Sequence, residues 1–148
     1  KSQGLKNCEV ISDDIIKSHV LKKSIFAIAK SGTISLEICN AKIPSIILYK
    51  MGIINFLIIK MLVKTKFANI INIAAKEEII PELLQSKCNA QNIFKNVSNY
   101  LKNPDKMKSQ VYKTQSIIEK LKTNKSSATL VAKSLVTFLD MKLPNLKQ

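Results

Sequence analysis

The chain has 148 residues and a formal net charge of +14, which is the size of one domain that buries about two thirds of its unfolded surface. All 24 basic residues are lysine, spread along the chain. Lysine lacks the forked geometry that reads guanine edges, so no nucleic-acid partner is predicted. The three cysteines have no C-x-x-C spacing, which argues against a zinc or disulfide scaffold and fits a reducing cytosol. The chain starts at Lys1 without a visible leader, so we expect a fragment or a processed chain.

The first part of the chain alternates short apolar runs with helix-compatible segments. Residues 8–12, 25–30 and 45–49 are predicted strands, and the consecutive apolar residues of the third run indicate burial on both faces. Helices are predicted from the Asp13-Asp14 cap to about residue 23, and from Thr33 to about Asn40. This alternation predicts an α/β fold with a parallel sheet.

Residues 53–63 form the most apolar helix candidate. Lys50 and Lys60 interrupt the longer run 43–63, and each lysine at mid-bilayer costs roughly 2.5–3.5 kcal/mol, so a spanning helix is rejected. A core helix with one wet edge is the favoured interpretation, and a helix lying in a lipid surface is the alternative. Residues 67–75 are then predicted to form a strand and loop, followed by helices at 90–101, 104–122 and 126–139.

A short turn links the second predicted strand to the next helix. Ser31, Gly32 and Thr33 occupy it, where unpaired N–H groups and the helix dipole favour an anion. Gly32 lets a phosphate approach the backbone. Glu37 lies one helical turn further, on the face of Thr33, where a carboxylate accepts hydrogen bonds from two sugar hydroxyls. The pattern predicts a nucleotide site, and an ordinary strand–turn–helix with a surface glutamate is the alternative.

Several short motifs accompany this turn, and their order and spacing carry more information than any one of them. They are Ala27-Ile-Ala-Lys-Ser-Gly-Thr-Ile-Ser-Leu-Glu37, Ala41-Lys-Ile-Pro44, Tyr49-Lys50, Lys60-Met-Leu-Val-Lys-Thr65, Asn72 and Glu82-Leu-Leu-Gln85. With these motifs the chain resembles the C-terminal half of the lipid-A-disaccharide synthase family, over about residues 9–139.

The resemblance implies a GT-B glycosyltransferase, which has two Rossmann-like domains facing each other across a cleft. Residues 1–103 would form the donor-binding domain, a Rossmann-like parallel sheet flanked by helices in an α/β fold. Residues 104–148 would form C-terminal helices that pack back across that domain or onto a partner. The N-terminal acceptor domain, which should supply the catalytic base, is absent from this chain, so no catalytic residue is expected here.

The resemblance also implies an activity: transfer of 2,3-diacylglucosamine from UDP-2,3-diacylglucosamine to 2,3-diacylglucosamine 1-phosphate, which forms the β-1,6-linked lipid A precursor. The enzyme would act in the cytoplasm, peripherally on the inner face of the cytoplasmic membrane, and would form a homodimer through its C-terminal helices. No cofactor and no metal are expected. The alternatives are another GT-B transferase that uses a UDP-sugar, such as an N-acetylglucosaminyl transferase of murein synthesis, and a non-catalytic basic module that binds nucleic acid or anionic membrane.

The resemblance assigns donor-binding roles to seven positions. The turn residues Ser31, Gly32 and Thr33 would hold the UDP diphosphate, and Glu37 would face the uridine ribose. Tyr49 lies at the C-terminal end of a strand, where open α/β sheets place their ligands. Two side chains would reach the donor from the cleft wall: Asn72 and Gln85.

Some residues depart from the family pattern or are interpreted as structural. Lys50 stands where the family has arginine, Ile71 where it has proline, and Lys76 where it has glycine. His19 is predicted to be a solvated surface residue and Asp13-Asp14 a helix cap. The acidic residues Glu77, Glu78 and Glu82 are interpreted as helix-start charges.

Overall fold

A computed structural model describes residues 7–52, 65–122 and 126–142 of the chain. The chain divides into two compact units, one up to Ile118 and the other from Glu119 onward. The predicted helix at residues 53–63 lies outside the described residues. The described helices and strands are, in chain order, α1 (Asp14–Lys23), β1 (Ala27–Lys30), α2 (Ile34–Asn40), β2 (Ser45–Tyr49), α3 (Ile70–Ala75), β3 (Glu82–Leu84), α4 (Ala90–Leu101), α5 (Pro104–Leu121) and α6 (Ser127–Lys142).

The first unit is built on a three-stranded parallel sheet in the order β1-β2-β3. Lys30 at the end of β1 lies opposite Leu48 of β2, and Tyr49 at the end of β2 lies opposite Leu84 of β3. The carboxyl ends of the three strands therefore meet at one edge of the sheet. The predicted α/β fold with a parallel sheet is confirmed.

Apolar side chains of the sheet pack against helices on both faces. Ile46 and Ile47 are consecutive and fully buried, and they belong to two different core clusters because successive strand residues point to opposite faces. Ile47 packs with Ile117 and Ile118 of α5. Ile46 packs with Leu83 and Tyr100. A strand buried on both faces explains the unbroken apolar run that predicted it.

One glutamine of α5 ties that helix to the sheet. The buried Gln110 side chain accepts a hydrogen bond from Ser45 N (2.7 Å) and donates to Ser45 O (3.0 Å), Ile79 O (3.1 Å) and the Tyr100 hydroxyl (3.2 Å). Burial, and to a lesser degree the Glu78 carboxylate, raises the pKa of Tyr100 above its ordinary value. The phenol therefore stays protonated, and this buried polar cluster is neutral.

Several predicted helix and strand positions agree with the structure. Helix α1 is capped by Asp13, whose carboxylate accepts from Ile15 N at 2.8 Å and Ile16 N at 2.9 Å. Strand β2 and helix α4 have the predicted bounds. His19 is exposed, as predicted.

Three local predictions were wrong. Residues 8–12 form no strand, and Val10 is 86% exposed, because no described strand pairs with this segment. Residues 70–75 form helix α3 and not a strand, because Asn69 caps the segment by accepting from Ile71 N at 2.9 Å. The three glutamates are not helix-start charges: Glu77 and Glu78 lie between α3 and β3, and Glu82 is a buried residue at the start of β3.

Candidate functional site

Five of the seven residues predicted to bind a nucleotide lie at the carboxyl edge of the sheet. The Ser31-Gly32-Thr33 turn follows β1, Tyr49 ends β2, and Gln85 directly follows β3. In parallel α/β sheets this edge is where ligands bind. The fold therefore brings together, from three strands, side chains that are up to 54 positions apart in the sequence.

The turn at Gly32 is open. Gly32 has φ +150°, and a Cβ built on it would meet no other atom within 4 Å. The first backbone donation in the turn runs from Ser35 N to Gly32 O at 3.1 Å. Within the part of the chain that the structure describes, the N–H groups of Gly32, Thr33 and Ile34 have no acceptor. Backbone N–H groups without an acceptor in the described residues can donate to an anion at this turn.

The two hydroxyls that flank Gly32 differ in their surroundings. Ser31 Oγ donates to Ala68 O at 2.8 Å, which joins the turn to the segment before α3. Thr33 is the N-cap residue of α2, but its hydroxyl makes no capping hydrogen bond. Thr33 is also exposed. Its hydroxyl is therefore better placed to meet a ligand than that of Ser31.

Glu37 lines a groove between α1 and α2. The groove has a volume of about 620 Å³ and also contains Lys17 and Lys22, which is within the size range of small-molecule sites. Glu37 Oε2 lies 3.1 Å from Lys17 Nζ, and the two side chains are 50% and 40% exposed. A pair this exposed contributes at most about 1 kcal/mol, so a ligand can replace Lys17 at that carboxylate with little loss.

Tyr49 is held against a cation at the end of the sheet. Lys30 Nζ lies 5.8 Å from the centroid of the Tyr49 ring, a cation–π contact that orients both side chains. Lys50, which follows Tyr49, is exposed. This edge of the sheet therefore presents two ammonium groups beside one half-buried aromatic ring, and a phosphate is attracted by such a surface.

Asn72 occupies a different place from the predicted cleft wall. Its side chain is fully buried. Asn72 Oδ1 accepts from Ile79 N and Ile80 N, both at 2.9 Å, while Nδ2 donates to Ile80 O at 2.7 Å and to Glu82 Oε1 at 2.8 Å. An asparagine has two donors and two acceptor sites, and all are used. As placed, Asn72 joins α3 to the segment that leads into β3 and has no polar group left for a ligand.

Gln85 also bonds to backbone. Its side chain accepts from Met51 N at 2.9 Å and donates to Met51 O at 3.2 Å. Gln85 itself has φ +50°, a left-handed conformation that is uncommon for a residue with a Cβ. The side chain thus fixes the chain where it leaves β2, just behind Tyr49.

Lys76, at the position where the family has glycine, keeps the backbone that a glycine favours. It ends α3 with φ +58°, in the left-handed region. This conformation is common after helices and costs a residue with a Cβ about 1–2 kcal/mol. The loop after Asn72 therefore retains a glycine-type turn without the glycine.

Sequence reasoning missed Glu82 as a residue of this site. It is only 8% exposed, and its carboxylate accepts from Ala68 N at 2.7 Å and Asn69 N at 3.0 Å. The available signal was a single charge inside the apolar run Ile79-Ile-Pro-Glu-Leu-Leu84. A carboxylate in such a run is buried at a cost unless it is hydrogen-bonded, which points to a structural partner and not to a helix start.

Helix α2 contains a buried thiol. Cys39 of α2 is 1% exposed, and burial raises its pKa from 9.0 to about 11. It accordingly stays a neutral thiol at ordinary pH.

Across the described ranges 7–52, 65–122 and 126–142, no helix has the length and apolar character needed to cross a bilayer.

Comparison with known proteins connects this site to a family. The family model described as lipid-A-disaccharide synthetase matches residues 1–136. The chain belongs to this family. The predicted resemblance to this family is thereby confirmed.

The matches to individual relatives in the lipid-A-disaccharide synthase family cover only part of the length of each relative. The protein named lipid-A-disaccharide synthase from Rickettsia prowazekii is 39% identical over 125 residues, which is 83% of this chain and 32% of the relative. The one from Rickettsia felis is 37% identical over 142 residues, which is 94% of this chain and 36% of the relative. The one from Rickettsia conorii is 43% identical over 95 residues, 64% of this chain and 21% of the relative. The chain thus spans about a third of the length of the first two relatives.

Proposed function

We propose that this chain is the donor-nucleotide part of a lipid-A-disaccharide synthase. The whole enzyme transfers 2,3-diacylglucosamine from UDP-2,3-diacylglucosamine to 2,3-diacylglucosamine 1-phosphate and forms the β-1,6-linked disaccharide precursor of lipid A. The observation that carries the proposal is the open Gly32 turn at the carboxyl edge of a parallel sheet, in a chain that belongs to this family.

The turn would bind the UDP diphosphate. The three free N–H groups of residues 32–34 and the positive end of α2 face an incoming anion. Each such contact contributes about 0.3–2 kcal/mol, so several donors act together. In the proposed reaction an acceptor hydroxyl attacks the anomeric carbon of the donor as the bond from that carbon to UDP breaks, with inversion. This chain would stabilise the departing diphosphate, and a base from another part of the whole enzyme would take the hydroxyl proton.

Glu37 would bind the ribose of the donor. Its carboxylate lines the groove beside α1 and is held only by the weak, half-exposed Lys17 pair. Two sugar hydroxyls can donate to the two carboxylate oxygens, and Lys17 remains close enough to balance the charge of the donor. Tyr49 and Lys30 lie at the neighbouring strand ends of the same edge, where the rest of the donor would pass.

Calorimetric titration of the 148-residue chain with UDP tests the nucleotide site. We expect Glu37→Ala to weaken UDP binding about tenfold or more, the loss of a charged hydrogen-bond acceptor. Glu119→Ala is the matched control, because Glu119 is also more than a third exposed and also pairs with a lysine, Lys122, at 2.6 Å. Equal and negligible effects of the two substitutions would remove the ribose assignment.

A chimera tests the full activity. This chain would replace the matching third of the Rickettsia prowazekii relative, and transfer would be measured with acylated and with unacylated UDP-sugars. The proposal predicts product with UDP-2,3-diacylglucosamine. Product only with an unacylated UDP-sugar would assign the chain to another GT-B transferase. Binding of nucleic acid with a steep salt dependence, together with indifference to UDP and to Gly32→Val, would indicate a basic module.

The proposed enzyme would be peripheral on the inner face of the cytoplasmic membrane and dimeric. A net charge of +14 attracts anionic lipid headgroups within about a Debye length. Helix α6 carries large apolar side chains that are more than half exposed, among them Leu135, Val136 and Phe138. We propose that these side chains are covered in a homodimer. A monodisperse monomer in light scattering would contradict the dimer, and failure to sediment with anionic vesicles would contradict the membrane location.

A further inference from the structure

We propose that Glu82 is a positioning residue for the phosphate-binding turn, acting on that turn through the backbone of Ala68 and the hydroxyl of Ser31. The inference rests on the proposed function, since it concerns the same turn at Gly32. It adds a residue that makes no contact with the turn itself and that lies 50 positions away from Gly32 in the sequence.

The Glu82 carboxylate fixes one short backbone segment, residues 68 and 69. Glu82 Oε2 accepts from Ala68 N at 2.7 Å, and Oε1 accepts from Asn69 N at 3.0 Å. Two consecutive peptide groups bound by the two oxygens of one carboxylate cannot rotate independently. Hydrogen bonds to a carboxylate are stronger than those between neutral groups, and this carboxylate is buried.

Asn72 fixes the orientation of the Glu82 carboxylate. Asn72 Nδ2 donates to Glu82 Oε1 at 2.8 Å, and Asn72 Oδ1 is fixed by Ile79 N and Ile80 N. The carboxylate thus has three N–H donors and little freedom to turn. Among the described residues, Asn69 Nδ2 is buried without a partner.

The backbone of Ala68 transmits this position to the turn. The Ala68 peptide that donates its N–H to Glu82 is followed by the Ala68 carbonyl, which accepts from Ser31 Oγ at 2.8 Å. Ser31 precedes Gly32, and Gly32 O in turn accepts from Ser35 N at 3.1 Å and from Ser35 Oγ at 2.7 Å. A line of contacts therefore runs from Glu82 to Ser31, next to Gly32, through hydrogen bonds that are joined by the backbone of Ala68.

The function of this line would be preorganisation. The turn lies on an exposed surface and contains a glycine, so by itself it samples several conformations, and each costs entropy when a ligand fixes it. A buried anchor that fixes the residue before Gly32 removes part of that cost before the donor arrives. Glu82 would thereby raise donor affinity without touching the donor.

Amide hydrogen exchange of the ligand-free chain tests the line directly. Glu82→Gln keeps the size of the side chain but places an NH2 group against an N–H donor, and Ser31→Ala breaks the line at its other end on a partly exposed residue. We expect the Ser35 amide to exchange about tenfold faster, relative to the core amide of Ile47, in both variants. Gln110→Met removes a buried side chain that bonds to Ser45 and to Ile79 O but not to Glu82, Ala68 or Ser31, and it should leave that ratio unchanged.

UDP titration of the same variants tests the purpose of the line. Glu82→Gln should weaken UDP binding about tenfold, and should cause no further weakening in the Ser31→Ala background, since both act through one path. Additive losses, or a Ser35 exchange ratio that Ser31→Ala does not change, would overturn the inference. If the wild-type chain does not bind UDP, the proposed function fails, while the exchange ratios still decide whether Glu82 positions the turn.

Discussion

Replacement of Asn72 by leucine is the sharpest test of how the site is supported. Leucine has the same number and branching of side-chain heavy atoms as asparagine but a larger volume, so some overpacking accompanies the loss of the hydrogen bonds. The substitution removes the acceptor of two backbone donors, Ile79 N and Ile80 N, and the donor that faces Glu82. The residues that carry these groups are all buried.

The size of the effect follows from these groups. A buried donor left without an acceptor costs about 1–3 kcal/mol, and more when the lost bond involves a charged group. Two orphaned N–H groups and a carboxylate with one donor fewer give an expected loss of about 3–5 kcal/mol after some relaxation. Small domains are stable by about 5–15 kcal/mol, so the variant should be severely destabilised.

The measurement is urea unfolding followed by far-UV circular dichroism, with Asn96→Leu as the matched control. Asn96 is an asparagine of α4 whose side chain makes a single bond, to Asn92 O at 2.9 Å, so its replacement should cost less than about 1 kcal/mol. If Asn72 instead contacted the UDP-sugar directly, Asn72→Leu would weaken UDP binding and leave the free energy of unfolding near the wild-type value. That result would refute the structural role that we assign to Asn72.

Asn72→Asp gives the same prediction a pH dependence. The new carboxyl keeps the two backbone bonds but faces Glu82, so the pair binds one proton more tightly when folded, with a pKa raised above the unfolded value of about 4. The deficit in stability relative to wild type is then largest at neutral pH and shrinks as the pH falls toward 4. A deficit independent of pH would show that the two groups do not face each other.

The remaining predictions concern three other positions. Gln85→Ala should free Met51 N and O, cost about 1–2 kcal/mol in urea unfolding, and weaken UDP binding; an unchanged affinity would separate this clamp from the site. Lys76→Gly should stabilise the chain by about 1 kcal/mol, because glycine adopts φ +58° without strain; a loss of stability would contradict the left-handed turn. Burial raises the pKa of Cys39 from 9.0 to about 11, so wild-type stability should fall as the pH rises through that window, and Cys39→Ser should remove that slope. Equal slopes in the two proteins would refute the last prediction.

Much of the fold could be predicted because its elements have local signals. Strand β2 has an unbroken apolar run, and helix α4 begins after the capping Asn89, whose side chain accepts from Asn92 N at 2.9 Å. The Gly32 turn combines a glycine, two hydroxyl residues and a helix start within three positions. Each of these signals arises from residues that are neighbours in the chain.

The rest depends on contacts that the sequence does not reveal. Strand β3 has only three residues, too few to show a period, and it is a strand because Ile47 and Tyr49 of β2 pair with it. Asn72 and Glu82 both have ordinary surface interpretations as isolated residues. Their mutual hydrogen bond, across ten positions, and their bonds to backbone groups satisfy both side chains in the interior.

The position of β1 matters for anyone who handles this chain in solution. It is an edge strand of the described sheet. The peptide groups on its outer side can therefore pair with a strand of a second molecule. Ile25 and Ile28 are 72% and 50% exposed there, and they favour such stacking, whereas the exposed Lys30 opposes it. A lysine in place of Ile25 would discourage self-assembly at this rim and leave the opposite rim, beside β3, untouched.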